Sequence, residues 1–497
     1  MAAARTDRMA TEGVVKLRMA KYSKLIPLLV LAAGGTAAQS SDNAALKDTV
    51  IASVDEQQDV MIEMSDAIWG YAETALHETQ SGKLLADYAE AQGFDVERGI
   101  SGMPMAFIAS YGKGRPIIGI VGEYDALPRL SQSAIPTRNV IVADAPGHGC
   151  GHNLFGVASL AAASSIRQLI EDGELSGTIR FYGTPAEESI GGKTYMARDG
   201  LFDDLDVAVS WHPSHDTKID VAGSQAMVET VLEFTGTASH AAFDPWNGRS
   251  ALDGLELFTH AFNLLREHVR PTVRLHYSYI DGGGAPNVVP ATASAAVWIR
   301  DNDIANVMKL FERAKTMADG AAMAANVEAK LTLISGTYNI LNNKEAAKVV
   351  HANFERLGPV QFTEAHEVFA RELQRAMGVP AIGVDRSITP LDLEATEIEG
   401  GSTDVADMSW IVPTVDFTVA SAPADIPWHS WGVVAASGRS IGHTGMHYAG
   451  KALAMTMVDL FTSPETLALI KAEFEERTAG FTYQAYIPDG PPPVPKE

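Results

Sequence analysis

Cysteine is almost absent from this sequence, because Cys150 is the one cysteine in 497 residues. An intramolecular disulfide is therefore excluded as a source of stability. The chain does not need one, since 46% of its residues are hydrophobic and a chain of this length can bury a large core. A lone thiol in an oxidising compartment is a liability unless it is buried or used. Because His148 and His152 flank Cys150, we expect the thiol to be used.

Positive charge is also scarce in this chain. There are 38 Lys and Arg residues against 62 Asp and Glu residues, and the net charge is -24 at pH 7. Binding to a phosphate backbone needs clustered Lys and Arg. The composition therefore argues against nucleic acid as a partner.

The apolar run near the N-terminus, residues 25–33, is too short to span a bilayer. Lys21 and Lys24 precede it and small residues follow it, which is the order found in a signal peptide. We predict that residues 1–38 are an upstream segment followed by a signal peptide at about 19–38. The mature protein would be periplasmic or secreted, with no membrane association. The alternative is a disordered tail with a chance apolar patch.

The spacing of apolar residues predicts an α/β fold. Residues 44–100 have helical periodicity, and beyond about residue 104 short apolar runs alternate with helical stretches. Such alternation predicts an open, mixed and mostly parallel sheet. The strand candidates in this sheet are residues 116–121, 178–182, 207–210 and 415–419.

The middle of the chain has a different order of elements. Residues 225–337 read β-α-β-β-α-β, which is the ferredoxin-like split unit. We therefore predict two domains, with this unit inserted into an α/β domain whose parts are residues 45–224 and 338–485. Residues 486–497 are rich in proline and are predicted to be extended or disordered.

The segment His148-Gly149-Cys150-Gly151-His152 carries two kinds of metal ligand. The Cys150 thiolate and the His152 imidazole can turn toward one metal ion, and the glycines give the backbone the freedom to do so. The alternative for these residues taken alone is a buried cysteine in a tight turn with surface histidines.

Two adjacent carboxylates, Glu187 and Glu188, follow the strand candidate at 178–182. A metal ligand beside a general base would explain the pair, because the base must accept a proton from a water that the metal polarises. Taken alone, the pair is more simply interpreted as two solvated acidic residues.

Two further histidines lie near predicted strand ends: His212 directly after residues 207–210, and His429 in a loop shortly after residues 415–419. The carboxyl edge of an open α/β sheet is where sites of this kind are built. The candidate donors are Cys150, His152, Glu188, His212 and His429. Two metals that share one bridging ligand and hold two other ligands each need five donors, and can together lower the pKa of a water.

His443 and His447 are four residues apart and resemble the zincin helix motif. Thr444 stands where that motif needs its glutamate. We therefore predict that both are ordinary helix residues or groups that contact a residue ligating the metal.

Further motifs accompany these segments along the chain. In order, the set is Gly122-Glu123-Tyr124-Asp125-Ala126-Leu127-Pro128, the Cys-Gly-His segment, Pro185-Ala186-Glu187-Glu188, Gly191-Gly192-Lys193, Trp211-His212-Pro213, Gly236-Thr237-Ala238-Ser239-His240-Ala241, Ala285-Pro286-Asn287-Val288-Val289-Pro290, Gly401-Ser402-Thr403-Asp404 and His429-Ser430-Trp431. Together, in this order, the motifs resemble the M20 metallopeptidase family, and the resemblance covers nearly the whole chain after residue 45. Cys150, where many members have a bridging aspartate, is typical of subfamily D, and other details are most similar to its aminobenzoyl-glutamate hydrolase branch, of the B-subunit type.

The resemblance implies a two-metal centre. Cys150 would bridge the two metals, with His152 and His212 on one and Glu188 and His429 on the other. Thiolate and imidazole ligands suit zinc. Cysteine-containing relatives often use manganese, and cobalt or nickel could also occupy such a site.

The resemblance also implies roles outside the metal ligands. Glu187 would be the general base and would then protonate the leaving amine. His240, in the inserted lid and dimerisation domain, would cross a dimer interface and stabilise the oxyanion. Asn287 and Arg300 match positions that contact the carboxylate or carbonyl of the substrate. Asp125 matches a residue that orients a metal ligand in many relatives.

We therefore predict a two-metal amidohydrolase that cleaves a small N-acyl or aryl amino acid such as aminobenzoyl-glutamate. The alternative enzymes are a dipeptidase and an auxin-conjugate-type N-acyl amino acid hydrolase. A non-catalytic metal-binding relative is the alternative of another class, and the intact Glu187 and His240 argue against it. We expect a homodimer or a larger homo-oligomer, with a related second subunit as an alternative partner.

Overall fold

The structure is a computed structural model that describes residues 37–398 and 400–495. Residues 19–36 of the predicted signal peptide lie outside this described part of the chain. The unit Asn43–Glu497 contains both sheets and the candidate site.

The described residues form thirteen α-helices and ten strands. The helices are α1 (Ala37–Glu56), α2 (Gln58–Tyr71), α3 (Thr79–Ala91), α4 (His152–Glu171), α5 (Gly192–Arg198), α6 (Ala251–Leu265), α7 (Ile304–Ala325), α8 (Lys344–Leu357), α9 (Glu364–Met377), α10 (Val405–Ser409), α11 (Trp431–Ser437), α12 (Ser440–Thr462) and α13 (Pro464–Arg477). The strands are β1 (Asp95–Arg98), β2 (Phe107–Lys113), β3 (Ile117–Gly122), β4 (Gly177–Gly183), β5 (Val207–Ser214), β6 (Ala226–Thr235), β7 (Arg274–Asp281), β8 (Thr292–Asp301), β9 (Glu328–Thr337) and β10 (Thr414–Ala420).

Six strands form the larger sheet, in the order β1-β2-β4-β3-β5-β10. Strands β3, β4, β5 and β10 are parallel, whereas β2 pairs antiparallel with β4, and β1 with β2. Parallel strands are apolar along their whole length because helices cover them, and here α4 and α12 pack against β3 and β5. The predicted mixed, mostly parallel sheet is confirmed.

The helical prediction for residues 44–100 is wrong at its end. Residues 95–98 form the edge strand β1, which pairs with β2. Its sequence, Asp-Val-Glu-Arg, is short and polar, so it carries no apolar alternation by which a strand could be recognised. The backbone hydrogen bonds to β2 decide its conformation.

The β-α-β-β-α-β order predicted for residues 225–337 is confirmed. Strands β6 to β9 form an antiparallel sheet in the order β7-β8-β6-β9, and helices α6 and α7 pack against it. Alternate residues of β6, among them Val228, Leu232 and Phe234, are buried, as period-2 patterning requires. That this unit is a domain of its own stays a prediction.

The carboxyl ends of the parallel strands lie at one edge of the larger sheet, which is where open α/β sheets place their sites. Strand β3 ends immediately before Glu123, and β4 ends shortly before Glu187. Strand β5 runs to Ser214, so His212 lies inside the strand. The prediction that His212 follows its strand is therefore wrong, because the backbone pairing with β10 continues past the apolar run.

In the described part of the chain, no single helix is long and apolar enough to cross a membrane. Helices α12 and α13 meet the same criteria of length and composition only as a pair bent by 97°. Most residues of α12 are buried, and the helix packs against α4 and α8.

The proline-rich segment predicted at 486–497 is described to residue 495 and contains no helix or strand there. It is nevertheless held against the folded chain. The Arg198 guanidinium donates a hydrogen bond to the Gly490 carbonyl at 2.6 Å, and the Tyr486 ring lies 5.6 Å from that of Tyr338.

Candidate metal centre

The loop before helix α4 brings Cys150 and His152 together. Gly151 has a left-handed backbone (φ 82°), and a Cβ there would lie 3.0 Å from Pro213, so the close approach favours glycine. The helix begins at His152, whose side chain is fully buried, and Cys150 is 6% exposed. The loop thus holds the side chains of Cys150 and His152 next to the carboxyl-terminal part of strand β5.

His212 faces Cys150 from strand β5. Its Nε2 lies 3.4 Å from the Cys150 Sγ, and its Nδ1 donates a hydrogen bond to the Pro213 carbonyl at 2.7 Å. This bond leaves the Nε2 lone pair free for a metal. Candidate ligand atoms of Cys150, His152 and His212 all lie within 4.8 Å of one another.

A second group shares Cys150 and adds Glu188 and His429, again within 4.8 Å. The His429 Nε2 lies 3.6 Å from the Glu188 Oε2. The structure therefore brings all five candidate ligands together, in two groups that share the thiol. This is the division of ligands that the resemblance implies.

The buried atoms of the cluster fit a cation. Glu188 Oε1 is buried and has no hydrogen-bond partner among the described residues, and His152 Nε2 and Glu123 Oε2 are buried and lie 3.0 Å apart without the alignment of a hydrogen bond. Burying such polar atoms unpaired is costly, and a bound ion removes the cost. Zinc binds thiolate, imidazole and carboxylate ligands, and carboxylate ligands also suit manganese. The residues present thus fit a divalent metal centre.

Burial determines the protonation of the candidate ligands Cys150 and His212. Burial, followed by the charge of Glu188, raises the pKa of the Cys150 thiol. Burial lowers the pKa of His212 to about 4, so its imidazole is neutral near pH 7. A divalent ion would favour the thiolate and bind the neutral imidazole, because both are its ligand forms.

Asp125 connects the two ligand groups. Its Oδ1 accepts a hydrogen bond from His152 Nδ1 at 2.8 Å, and its Oδ2 accepts one from the Glu188 backbone N–H at 2.9 Å. Burial alone would raise the pKa of Asp125, but the bond from His152 and the His152 charge lower it. The carboxylate therefore selects the His152 tautomer that leaves Nε2 free, as carboxylates beside metal-bound histidines do.

A buried ion network lies behind His152, and sequence reasoning missed it. Lys193 is fully buried, and its Nζ lies 2.6 Å from both Glu123 Oε1 and Asp404 Oδ1. The other oxygen of Glu123, Oε2, is 3.0 Å from His152 Nε2. The motifs Gly191-Gly192-Lys193 and Gly401-Ser402-Thr403-Asp404 were the available signal, but nothing in the sequence pairs them.

Glu187 lies beside this network. Its carboxylate forms a third group of candidate ligands with Glu123 and His152. Burial, followed by the charges of Glu123 and Glu188, raises the pKa of Glu187 well above its usual value. Glu187 is therefore a buried carboxyl group that adjoins the candidate ligands and holds a proton more tightly than a solvated glutamate does.

A cavity of about 590 Å³ opens over the ligands, and both sheets contribute to its walls. Such a volume suits a small organic molecule. Arg300 of strand β8 lines it, with its guanidinium 5.3 Å from the Trp298 ring centre and 3.4 Å from the Ser402 hydroxyl. Trp428 also lines the cavity, beside His212. The cavity is thus lined by aromatic side chains and by the positively charged guanidinium of Arg300.

Two of the predicted site residues lie elsewhere. His240 and Asn287 are exposed on the inserted unit, and neither lines the cavity. The His240 Nδ1 accepts hydrogen bonds from the backbone N–H groups of Ala242 and Phe243. Within one chain, therefore, the structure does not bring them to the ligands.

The zincin-like pair also lies away from the cluster. His443 and His447 are on helix α12 and contact Asp66 and Asp55, each at 3.0 Å. They are ordinary helix residues with acidic partners, which is one of the two roles expected for them.

Comparison with known proteins supports one family. The model of peptidase family M20/M25/M40 matches residues 119–430. The chain is 34% identical over 463 residues to the B subunit of p-aminobenzoyl-glutamate hydrolase from Escherichia coli K12, covering 87% of this chain and 95% of that protein. It is 28% identical over 471 residues to the human Xaa-Arg dipeptidase, covering 89% and 95%.

A solved structure from Bacillus subtilis, described as a dinuclear metal binding peptidase from the M20 family, shares the fold. It aligns with a TM-score of 0.55 at 16% identity, covering 82% of this chain and 99% of that chain.

Asp125→Asn should weaken metal binding by about 10- to 100-fold, because the amide has one oxygen and cannot accept both hydrogen bonds. The measurement is competition with a chelator for Zn²⁺ and Mn²⁺. Asp66→Asn is the control, since it removes an exposed carboxylate that contacts His443, and neither residue belongs to the ligand groups. Equal metal affinity in the Asp125→Asn variant and the wild-type chain would contradict the role given to Asp125.

Proposed function

The chain belongs to peptidase family M20/M25/M40 and is an enzyme that acts on amide bonds, and we propose that its substrate is an N-acyl or aryl amino acid similar to aminobenzoyl-glutamate. The observation that carries this proposal is the arrangement around the cavity. The five ligand candidates form two groups that share Cys150, Glu187 adjoins them, and Arg300 lines the cavity above them.

We propose that the five ligands hold two divalent ions, zinc or manganese, with cobalt or nickel as substitutes. His152 and His212 would hold one ion, Glu188 and His429 the other, and Cys150 both. When bound, such ions lower the pKa of a water and polarise the carbonyl of the substrate. The division of the ligands into two groups that share the thiol supports this assignment.

In the proposed reaction, Glu187 accepts a proton from the water that attacks the amide carbon. It then donates this proton to the nitrogen as the C–N bond breaks, and the products are a carboxylic acid and an amine. The position of Glu187 suits this shuttle, because the carboxyl group adjoins the candidate ligands and can take a proton from a water held there. Lys193 pairs with the neighbouring Glu123 and so offsets part of the negative charge beside Glu187.

We propose that Arg300 binds the carboxylate of the amino acid part. Its guanidinium lines the cavity, and guanidinium groups match carboxylates in geometry. The rings of Trp298 and Trp428 provide apolar walls that suit an aromatic acyl group.

A dipeptidase is the second candidate function. The likeness to a human protein named as a Xaa-Arg dipeptidase favours it. The auxin-conjugate-type hydrolase remains a variant of the first candidate, because its substrates are also N-acyl amino acids. A non-catalytic relative is disfavoured, since Glu187 and all five ligand candidates are present.

Glu187→Gln should lower kcat/KM by about 100- to 10,000-fold, because the amide side chain cannot accept the proton from water. The variant should keep its metal content, which elemental analysis measures. The assay is hydrolysis of aminobenzoyl-glutamate, a panel of N-acyl amino acids, and dipeptides including Xaa-Arg. Full activity in the variant would rule out Glu187 as the base.

The same panel separates the two candidate functions. Preferential cleavage of aryl and acyl amino acids supports the first candidate. Cleavage of dipeptides alone, by wild-type protein loaded with Zn²⁺ or Mn²⁺, would replace it with the second. Each class of substrate serves as the control for the other.

Arg300→Ala should raise KM for aminobenzoyl-glutamate by about 10- to 100-fold, since hydrogen bonds to charged groups contribute about 1.5–3 kcal/mol. Arg274→Ala is the matched control, because Arg274 lies opposite Arg300 on β7 but is exposed and outside the cavity. The α-carboxamide analogue of aminobenzoyl-glutamate should bind the wild-type protein and the Arg300→Ala variant equally weakly. An equal rise in KM for acid and carboxamide would contradict carboxylate binding.

We propose that the enzyme is a homodimer in which His240 serves the partner subunit. His240 is exposed, and nearby Phe243 and Trp246 are 79% and 72% exposed. Strand β7 is an edge of its sheet, and its residues Tyr279 and Ile280 are also exposed. Exposed apolar residues and open strand edges are features of interfaces, and a second copy of the chain would cover them. A related second subunit is the alternative partner.

A mixture of Glu187→Gln and His240→Ala subunits tests this arrangement. If His240 acts across the interface, a mixed dimer has one site with both residues intact. An equal mixture after exchange should then recover about one quarter of wild-type activity, because half of the dimers are mixed and each has one intact site. Sedimentation confirms the dimer. No recovery despite mixed dimers, or a monomer with full activity, would overturn the proposal.

A further inference from the structure

Glu187 and Glu188 lie in a tight turn with unusual backbone geometry. Ala186, directly before Glu187, has φ 64°, which is the left-handed region that L-residues rarely adopt. Such a conformation persists only when the surroundings hold it, and it is characteristic of functional sites. The groups that hold this turn therefore control where Glu187 points.

Buried carboxyl groups bind the turn on both sides of Glu187. The Oε1 of Glu78 accepts a hydrogen bond from the Ala186 N–H at 2.7 Å. The Oδ2 of Asp125 accepts one from the Glu188 N–H at 2.9 Å. Glu187 thus lies between two fixed backbone positions.

The side chain of Glu78 does not cap its own helix. Glu78 occupies the position before helix α3, but its side chain makes no capping bond there. The Glu73 carboxylate accepts the hydrogen bonds of that helix end, from the N–H groups of Gln80 and Ser81. The Glu78 side chain turns inward instead and is fully buried.

We propose that Glu78 is a positioning residue, which holds Ala186 in the left-handed conformation and so directs the Glu187 carboxylate toward the reacting water. The inference rests on the proposed role of Glu187 as the base. Burial raises the pKa of Glu78 to about 9, so it is mostly protonated at pH 7 and glutamine closely resembles it. Glutamine keeps an oxygen that can accept the Ala186 hydrogen bond.

Glu78→Met and Glu78→Gln separate positioning from packing. Methionine fills a similar volume but has no strong acceptor, so kcat for aminobenzoyl-glutamate should fall by about 10- to 100-fold, as expected for a displaced catalytic group. KM and the affinity for Zn²⁺ should change less than about threefold. Glutamine should keep kcat within about threefold of wild type, because the acceptor oxygen remains.

Glu73→Ala is the matched control. It weakens the same helix end without touching the Ala186 N–H, so the melting temperature should fall while kcat stays unchanged. If Glu78→Met does not fold, Glu78→Asp takes its place, because the shorter side chain keeps the carboxyl group but cannot reach Ala186.

Several results would overturn the inference. They are unchanged kcat in the folded Met or Asp variant, equal losses in the Gln and Met variants, or a kcat loss in Glu73→Ala equal to that of Glu78→Met. If Glu187→Gln is inactive and Glu78→Met is fully active, the positioning role of Glu78 is contradicted and the role of Glu187 as the base is not. If Glu187→Gln is fully active, the proposed base fails as well.

Discussion

The Asp125 carboxylate is the interaction on which the rest of the centre depends. One oxygen sets the tautomer of His152, and the other holds the backbone of Glu188. These two residues belong to different ligand groups, which meet at Cys150. A single rigid carboxylate therefore keeps both groups in register. The Asp125 side chain has little freedom to move, because it is only 1% exposed and lies three residues after the end of strand β3.

The electrostatics of the centre follow from burial. Glu123, Asp404 and Glu187 lie near the buried ammonium of Lys193, which contacts the first two. Burying like charges together is unfavourable unless cations compensate. Divalent ions at the ligand groups would supply that compensation, so metal binding and stability of this edge should be linked. The raised pKa of Glu187 is one result of the same crowding.

Much of the fold could be predicted because its patterns are local. Strands β3, β4 and β10 and the β-α-β-β-α-β unit have clear apolar runs and periodicities. Strand β1 could not, since its polar residues are ordered by pairing with β2. His240 and Asn287 show a different limit. Their place on the inserted unit was predicted, but a single chain does not bring them to the cavity.

The sequence by itself determined the chemistry of the candidate ligands, because thiol, imidazole and carboxylate residues occur in motifs that follow one another in a recognisable order. Only the tertiary structure decided their support. Glu78 meets Ala186 across 108 positions, and Lys193 meets Asp404 across 211. Such pairs leave no local signal, since a buried ion pair or a carboxylate on a distant backbone N–H depends on packing rather than on spacing along the chain.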